Sequence, residues 1–309
     1  MMADWVAVSV RGRGLLSRRL GAGGVRLLAR APSLDAALAV LARSAYGRDV
    51  RAGMGLRAAQ HAVSETLLWH LRILAGWARP DGADCVRQLA AGFEIANVVG
   101  QLARIEGRTA DPPYVLGALT LGWLRIAPAR TAADVRRALV ASSWGDPGGT
   151  DPGAVRTALL AAWCRRVADA VPQAREWAAA FAALLVARGL AGGVPLAGAA
   201  VPRRHIGAVL GSRWEDATTL DGLAARLPRG ATWVLDAAHA PAELWRAEAL
   251  WWARVEADAV RLCAKPQPEA AIVVGLVALL AHDAWRTRGA LELAARGGAD
   301  EAEWFDASA

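Results

Sequence analysis

Histidine–acid pairs and glycine-rich turns are the places where this sequence could do chemistry. Its five histidines are His61, His70, His205, His239 and His282. His61 and His70 are nine residues apart, which turns them to opposite faces of a helix. His282-Asp283 is the one pair matching a reactive pattern. Adjacent His and Asp on a helix can hold a metal ion that activates water for phosphate-ester hydrolysis. Such a site also needs an upstream histidine, for which His239 is available, and a downstream aspartate, Asp300 or Asp306. The competing reading is a pair at a helix end that closes an apolar stretch. A phosphate-binding P-loop is excluded, because the only lysine, Lys265, is followed by Pro266. Gly21, Gly23 and Gly24 hint at a dinucleotide loop. Arg26 stands where its last glycine belongs and no strand precedes it, so the stretch reads as a helix–helix turn. Gly-x-Ser-x-Gly and His-Glu-x-x-His do not occur. The expectation is no catalytic residue, no cofactor and no metal.

Charge and tryptophan are the remaining signals. Six arginines (Arg11, Arg13, Arg18, Arg19, Arg26, Arg30) and no acid lie between Asp4 and Asp35. Such a patch can meet lipid headgroups, nucleic acid or an acidic protein face. Without a helix-turn-helix or an aromatic platform, nucleic acid is not expected. The bland alternative is a set of solvated arginines on helical faces. Trp251-Trp252 sets two indoles about 100° apart on one helix, so one of them should face a subdomain seam or a partner. Leu244, Trp251, Val255 and Leu262 form a stripe along the same helix, which reads as core. Arg11, Arg13, Arg18, Arg19, Trp251 and Trp252 are therefore the candidate partner-facing residues.

The whole chain has 309 residues, 55% of them hydrophobic and 21% charged, with a net charge of +7. That composition excludes a disordered chain. Three isolated cysteines, Cys85, Cys164 and Cys263, argue for reduced structural thiols rather than a disulfide scaffold or zinc site. Met-Met-Ala-Asp-Trp has no basic stretch leading into an apolar run, so no signal peptide is expected. The longest clean apolar run, Ala270 to Ala281, falls short of the ~20 residues a spanning helix needs, and a soluble protein is expected.

The elements that must position these residues read almost throughout as helices. Helices are predicted over Leu56 to Ala78, Ala83 to Glu106, Gly153 to Ala170, Pro172 to Arg188, Pro241 to Ala264 and Glu269 to Arg296. A short one, capped by Thr131, should end at Gly145. Trp5 to Val10 and Thr232 to Leu235 hint at extended chain. A repeat runs through the pattern. Ser33 is followed by Leu41, Ser44, Tyr46 and Gly47, and Thr131 by Leu139, Ser142, Trp144 and Gly145. Thr219, Leu227 and Trp233 make a partial third copy, the caps lying 98 and 88 residues apart. Each copy reads as a hydroxyl cap, a buried leucine, an aromatic plug and a left-handed glycine. Three related subdomains, roughly 1–128, 129–217 and 218–309, are expected within one compact body.

In order along the chain, four stretches carry a resemblance. They are the arginine-rich start at Val8 to Leu16, Ser33-Leu-Asp with its Tyr46-Gly47 stop, Glu94-Ile-Ala-Asn97 through Arg104, and Pro268 through Leu280. Together they resemble the C/d family of rotary V-type (vacuolar-type) ATPase subunits, the C form being archaeal and bacterial and the d form eukaryotic. Departures occur at Trp5-Val-Ala-Val8-Ser9, where the family often has an aromatic followed by Asn-Ala-Arg, and at Ala179, where Asn would follow Glu176. Pro228 and Gly230 interrupt the third copy. The resemblance implies an all-α, funnel-shaped body with a pseudo-threefold axis. It implies a non-catalytic adaptor that seats the central stalk on the membrane proteolipid ring. Lying peripherally on the cytoplasmic face, it would transmit torque between ATP hydrolysis or synthesis and ion, chiefly proton, transport. The alternatives are a helical scaffold for another partner and an HD-type phosphohydrolase built on His282-Asp283.

Overall fold

A computed structural model describes residues 2–264 and 270–298, with side chains described from residue 7 onward. Lys265-Pro266, Glu269, Asp300 and Asp306 lie outside the described residues. Among the described residues every regular element is helical. The α-helices are α1 (Met2–Leu16), α2 (Gly21–Ala29), α3 (Leu34–Leu41), α4 (Leu56–Trp77), α5 (Pro80–Leu89), α6 (Ala91–Ile105) and α7 (Trp123–Ile126). They continue with α8 (Ala132–Val140), α9 (Pro152–Ala170), α10 (Arg175–Ala191), α11 (Ala200–Leu210), α12 (Leu220–Ala224), α13 (Leu244–Cys263) and α14 (Ala270–Ala295).

Local chemistry sets many of the boundaries. The Ser33, Thr131 and Thr219 hydroxyls accept from Ala36, Asp134 and Gly222 N–H at the starts of α3, α8 and α12. Each supplies one of the acceptors that a helix start lacks. Asp151 does the same for α9 through Ala154 N–H at 2.8 Å, with Pro152 in the first turn. Trp5 to Val10 belongs to α1 and Thr232 to Leu235 forms a 3₁₀ turn, so neither is extended. A turn at 17–20 joins α1 to α2 as expected; Gly21 leaves it with a left-handed φ of 65°, and Gly23 and Gly24 lie in the first turn of α2. The helix expected from Ala83 to Glu106 is two, broken at Ala90. Beside the break the Gln88 carbonyl accepts from Trp163 Nε1 at 2.8 Å. The short helix after Thr131 closes at Val140, ahead of the expected Gly145.

The chain forms two compact units, residues 1–86 with 252–309, and residues 87–251. The repeat boundaries at 128/129 and 217/218 both fall inside the second unit. In the first unit α14 packs against α1, α2, α3 and α4. Its core includes Val25, Leu28, Leu38, Leu41, Val63 and Leu291. By length and composition α14 could cross a membrane, being longer than its clean apolar run; yet 83% of its apolar window is buried inside the protein. In the second unit α9 packs on α6, α10 and α11. Small side chains let neighbours approach α10 on all sides: Ala180, Ala182, Ala183 and Ala187 are fully buried. Val98, Leu102, Ile126, Leu139 and Leu159 make a second core around α6 and α9.

Candidate functional site

The repeat is carried by buried carboxylates that sequence reasoning did not single out as such. In the first copy Ser44 Oγ donates to the Leu41 carbonyl at 2.7 Å and accepts from Tyr46 N–H at 3.2 Å. In the second, Ser142 Oγ donates to the Leu139 carbonyl at 2.7 Å and accepts from Trp144 N–H at 3.2 Å. This turn swings the aromatic ring inward, and Tyr46 and Trp144 are both buried. Each ring then donates to a carboxylate on a long helix: Tyr46 Oη to Asp283 at 2.8 Å, and Trp144 Nε1 to Glu94 at 2.7 Å.

The same carboxylates also take two successive backbone N–H groups. Asp283 accepts from Leu20 and Gly21 at 3.1 and 2.8 Å, at the start of α2. Glu94 accepts from Leu121 and Gly122 at 2.6 and 2.7 Å, just before α7, and from Thr120 Oγ1 at 3.1 Å. A carboxylate beside free amide groups at a helix start satisfies those donors and complements the positive end of the helix. Burial and the neighbouring Asp283 push the Tyr46 phenol well above its ordinary range. Three residues on, Asn97 exchanges two bonds with the Tyr114 backbone, at 2.9 and 2.7 Å. The matching position after Asp283 is Arg286.

The third copy departs. Trp233 Nε1 donates to the Gly230 carbonyl at 2.9 Å, and Glu176, beside Gly230, is exposed where Glu94 and Asp283 are buried. The glycines differ as well. Gly145 has the expected left-handed backbone, with φ of 78°. Gly47 does not; it sits in a 3₁₀ turn where a Cβ would collide with the Ala42 carbonyl, so space rather than backbone handedness requires it.

The predicted reactive pair is divided between two tasks. Asp283 is engaged by its three donors, while His282 faces Glu256, with Nδ1 3.3 Å from Oε1, and stacks on Trp252 and Trp285. His239 contacts Asp221 at 3.2 Å in the second unit. Among the described residues no group of three metal-ligating side chains converges. The thiols are free; Cys85 and Cys164 are buried, and burial raises the pKa of all three, which disfavours the nucleophilic thiolate.

Of the expected partner-facing residues, Arg11, Arg13 and Arg18 are exposed and Arg19 half-buried. Arg11 lies over the Trp77 ring at 5.2 Å, Arg13 reaches the Cys263 carbonyl at 3.5 Å, and Arg19 reaches the Leu16 carbonyl at 3.4 Å. Trp251 is buried at 7% exposure and donates to the Trp177 carbonyl at 2.8 Å, which leaves little of it for a partner. Trp252 is half-buried in its stack with His282 and Trp285. Leu244 and Val255 are core, as the stripe predicted.

No protein-family model matches the chain, and no curated protein matches it in sequence.

Proposed function

We propose that this chain is a non-catalytic adaptor of a rotary V-type ATPase, seating the central stalk on the proteolipid ring and passing torque between them. In this reading three similar helical subdomains surround a pseudo-threefold axis in a funnel. The first is completed by α14, the second by α6 and the third by α10. The observation that carries it is the repeated carboxylate hub. Asp283 and Glu94 each bind an inward-turned aromatic and two successive backbone N–H groups at the start of a short helix. The all-helical fold and the order of the sequence features support it too.

The geometry suits a mechanical part. A torque-bearing joint needs rigid braces and broad contact area, and a buried carboxylate tying three segments together is such a brace. Its interfaces should reach at least the standard ~1,600 Å² of a stable complex. The test is to isolate the native complex from gently solubilised membranes through this chain and weigh it by native mass spectrometry. Proteins of the central stalk and a proteolipid ring should co-purify. A bare monomer in the soluble fraction would overturn the reading.

A further inference from the structure

One face of α14 holds polar atoms that the protein itself does not satisfy. Arg286 is 5% exposed, and its Nε and Nη2 are buried without a hydrogen-bond partner. Those two nitrogens lie on the same edge of the guanidinium, the edge that grips a carboxylate or phosphate with two parallel bonds. One turn earlier on the same face, His282 is 1% exposed, and its Nε2 is likewise unpartnered. Its other nitrogen meets Glu256.

Leaving the two Arg286 N–H groups buried and unmade is costly, and the guanidinium charge raises the cost. Glu256 does not remove it. Its charge favours the Arg286 cation, but its carboxylate is held by His282 and does not bond the guanidinium edge. Asp283 is committed to Leu20, Gly21 and Tyr46. Arg26 of α2 is exposed and close enough for its charge to press on Arg286. An anion near both would relieve that repulsion. Trp252 and Trp285 stack at 5.4 Å beside His282 and give the site a rigid aromatic wall.

We propose that the Arg286 edge, with His282 beside it, is a binding site for a small oxyanion of the phosphate or carboxylate class. The site belongs to the first unit and does not depend on the adaptor reading. Because the nitrogens are buried, entry requires a local side-chain movement.

The test titrates the full chain with sodium phosphate, and separately with sodium acetate, by calorimetry at constant ionic strength. Sodium chloride is the control, and thermal unfolding is followed in parallel. Phosphate, acetate or both should bind and raise Tm above the chloride control, the two arms telling which source the site prefers. Arg286→Lys keeps the charge but loses the two-pronged edge, and should weaken binding by about tenfold or more. Glu256→Gln removes a competing negative charge and should tighten binding severalfold, which gives a second reading if the Arg286 variant does not fold. The proposal is overturned if neither anion differs from chloride, which would leave these nitrogens to water alone. It is overturned equally if binding is unchanged in Arg286→Lys, or not tightened in Glu256→Gln.

Discussion

Tyr46 and Glu94 are the residues whose loss should be felt most directly. A tyrosine in an unfolded chain gives up its proton near pH 10, whereas buried Tyr46 keeps it well above that. Between those limits the folded state holds one more proton than the unfolded state, so alkali favours unfolding. The associated loss is about 1.4 kcal/mol per pH unit above ~10. Tyr46→Phe should cost roughly 1–2 kcal/mol at pH 8 through the lost bond to Asp283. It should also lose less further stability than the parent between pH 10 and 11. Urea unfolding of both proteins across that range measures the difference, and equal slopes would refute it. Glu94→Gln turns an acceptor for four donors into a group that presents two N–H of its own. It should destabilise by about 2–4 kcal/mol in the same assay. A loss under about 0.5 kcal/mol would mean that the hub is not a brace.

At the scale of elements, close helix approach makes the sharpest forecast. A Cβ on Gly275 of α14 would sit 2.7 Å from Cys263 Sγ and 2.8 Å from the Ala259 carbonyl of α13. Gly275→Ala should therefore cost about 1–3 kcal/mol by overpacking. Gly14 in α1 faces open space, so Gly14→Ala should gain up to about 1 kcal/mol of helix propensity. Thermal melts of the pair should move in opposite directions, and a common direction would contradict the packing described.

Elements with local signals were legible in the sequence. Ser33, Thr131 and Thr219 each announce a cap, and each is one. The failures share a cause. Beside the break at Ala90 the Gln88 carbonyl accepts from an indole 75 positions away, at Trp163. The start of α2 at Leu20 and Gly21 is held by the Asp283 carboxylate, more than 260 positions distant in sequence. The Ser-to-aromatic pattern was visible at both ends of its repeat, but its purpose lies in partners on other helices. For the same reason the site residues were only half legible. Arg11, Arg13 and Arg18 are exposed as their polarity suggests, while Trp251 is consumed by the Trp177 carbonyl, which no local pattern reveals.

For the whole molecule, the adaptor reading makes a prediction about salt. Arg11, Arg13 and Arg18 are exposed, and six arginines precede the first acid after Asp4. If they face an acidic stalk tip or anionic headgroups, assembly should weaken as salt shortens the reach of charge from ~10 Å at 0.1 M to ~3 Å at 1 M. Native mass spectrometry after washes at the two concentrations reads the outcome. Identical yields of the partner proteins would remove the arginines from the interface.

The placement of α14 has a further consequence, in the order in which the protein can be made. A ribosome releases residues 1–86 first, but the helix that fills their core is encoded at 270–295. Residues 87–251 form a contiguous unit and can close while synthesis continues. Folding therefore need not follow translation from end to end. The middle of the chain can mature first, and the earliest residues must wait with their apolar faces open for the helix that completes them. That interval is when a growing chain is most exposed to aggregation and most in need of a chaperone.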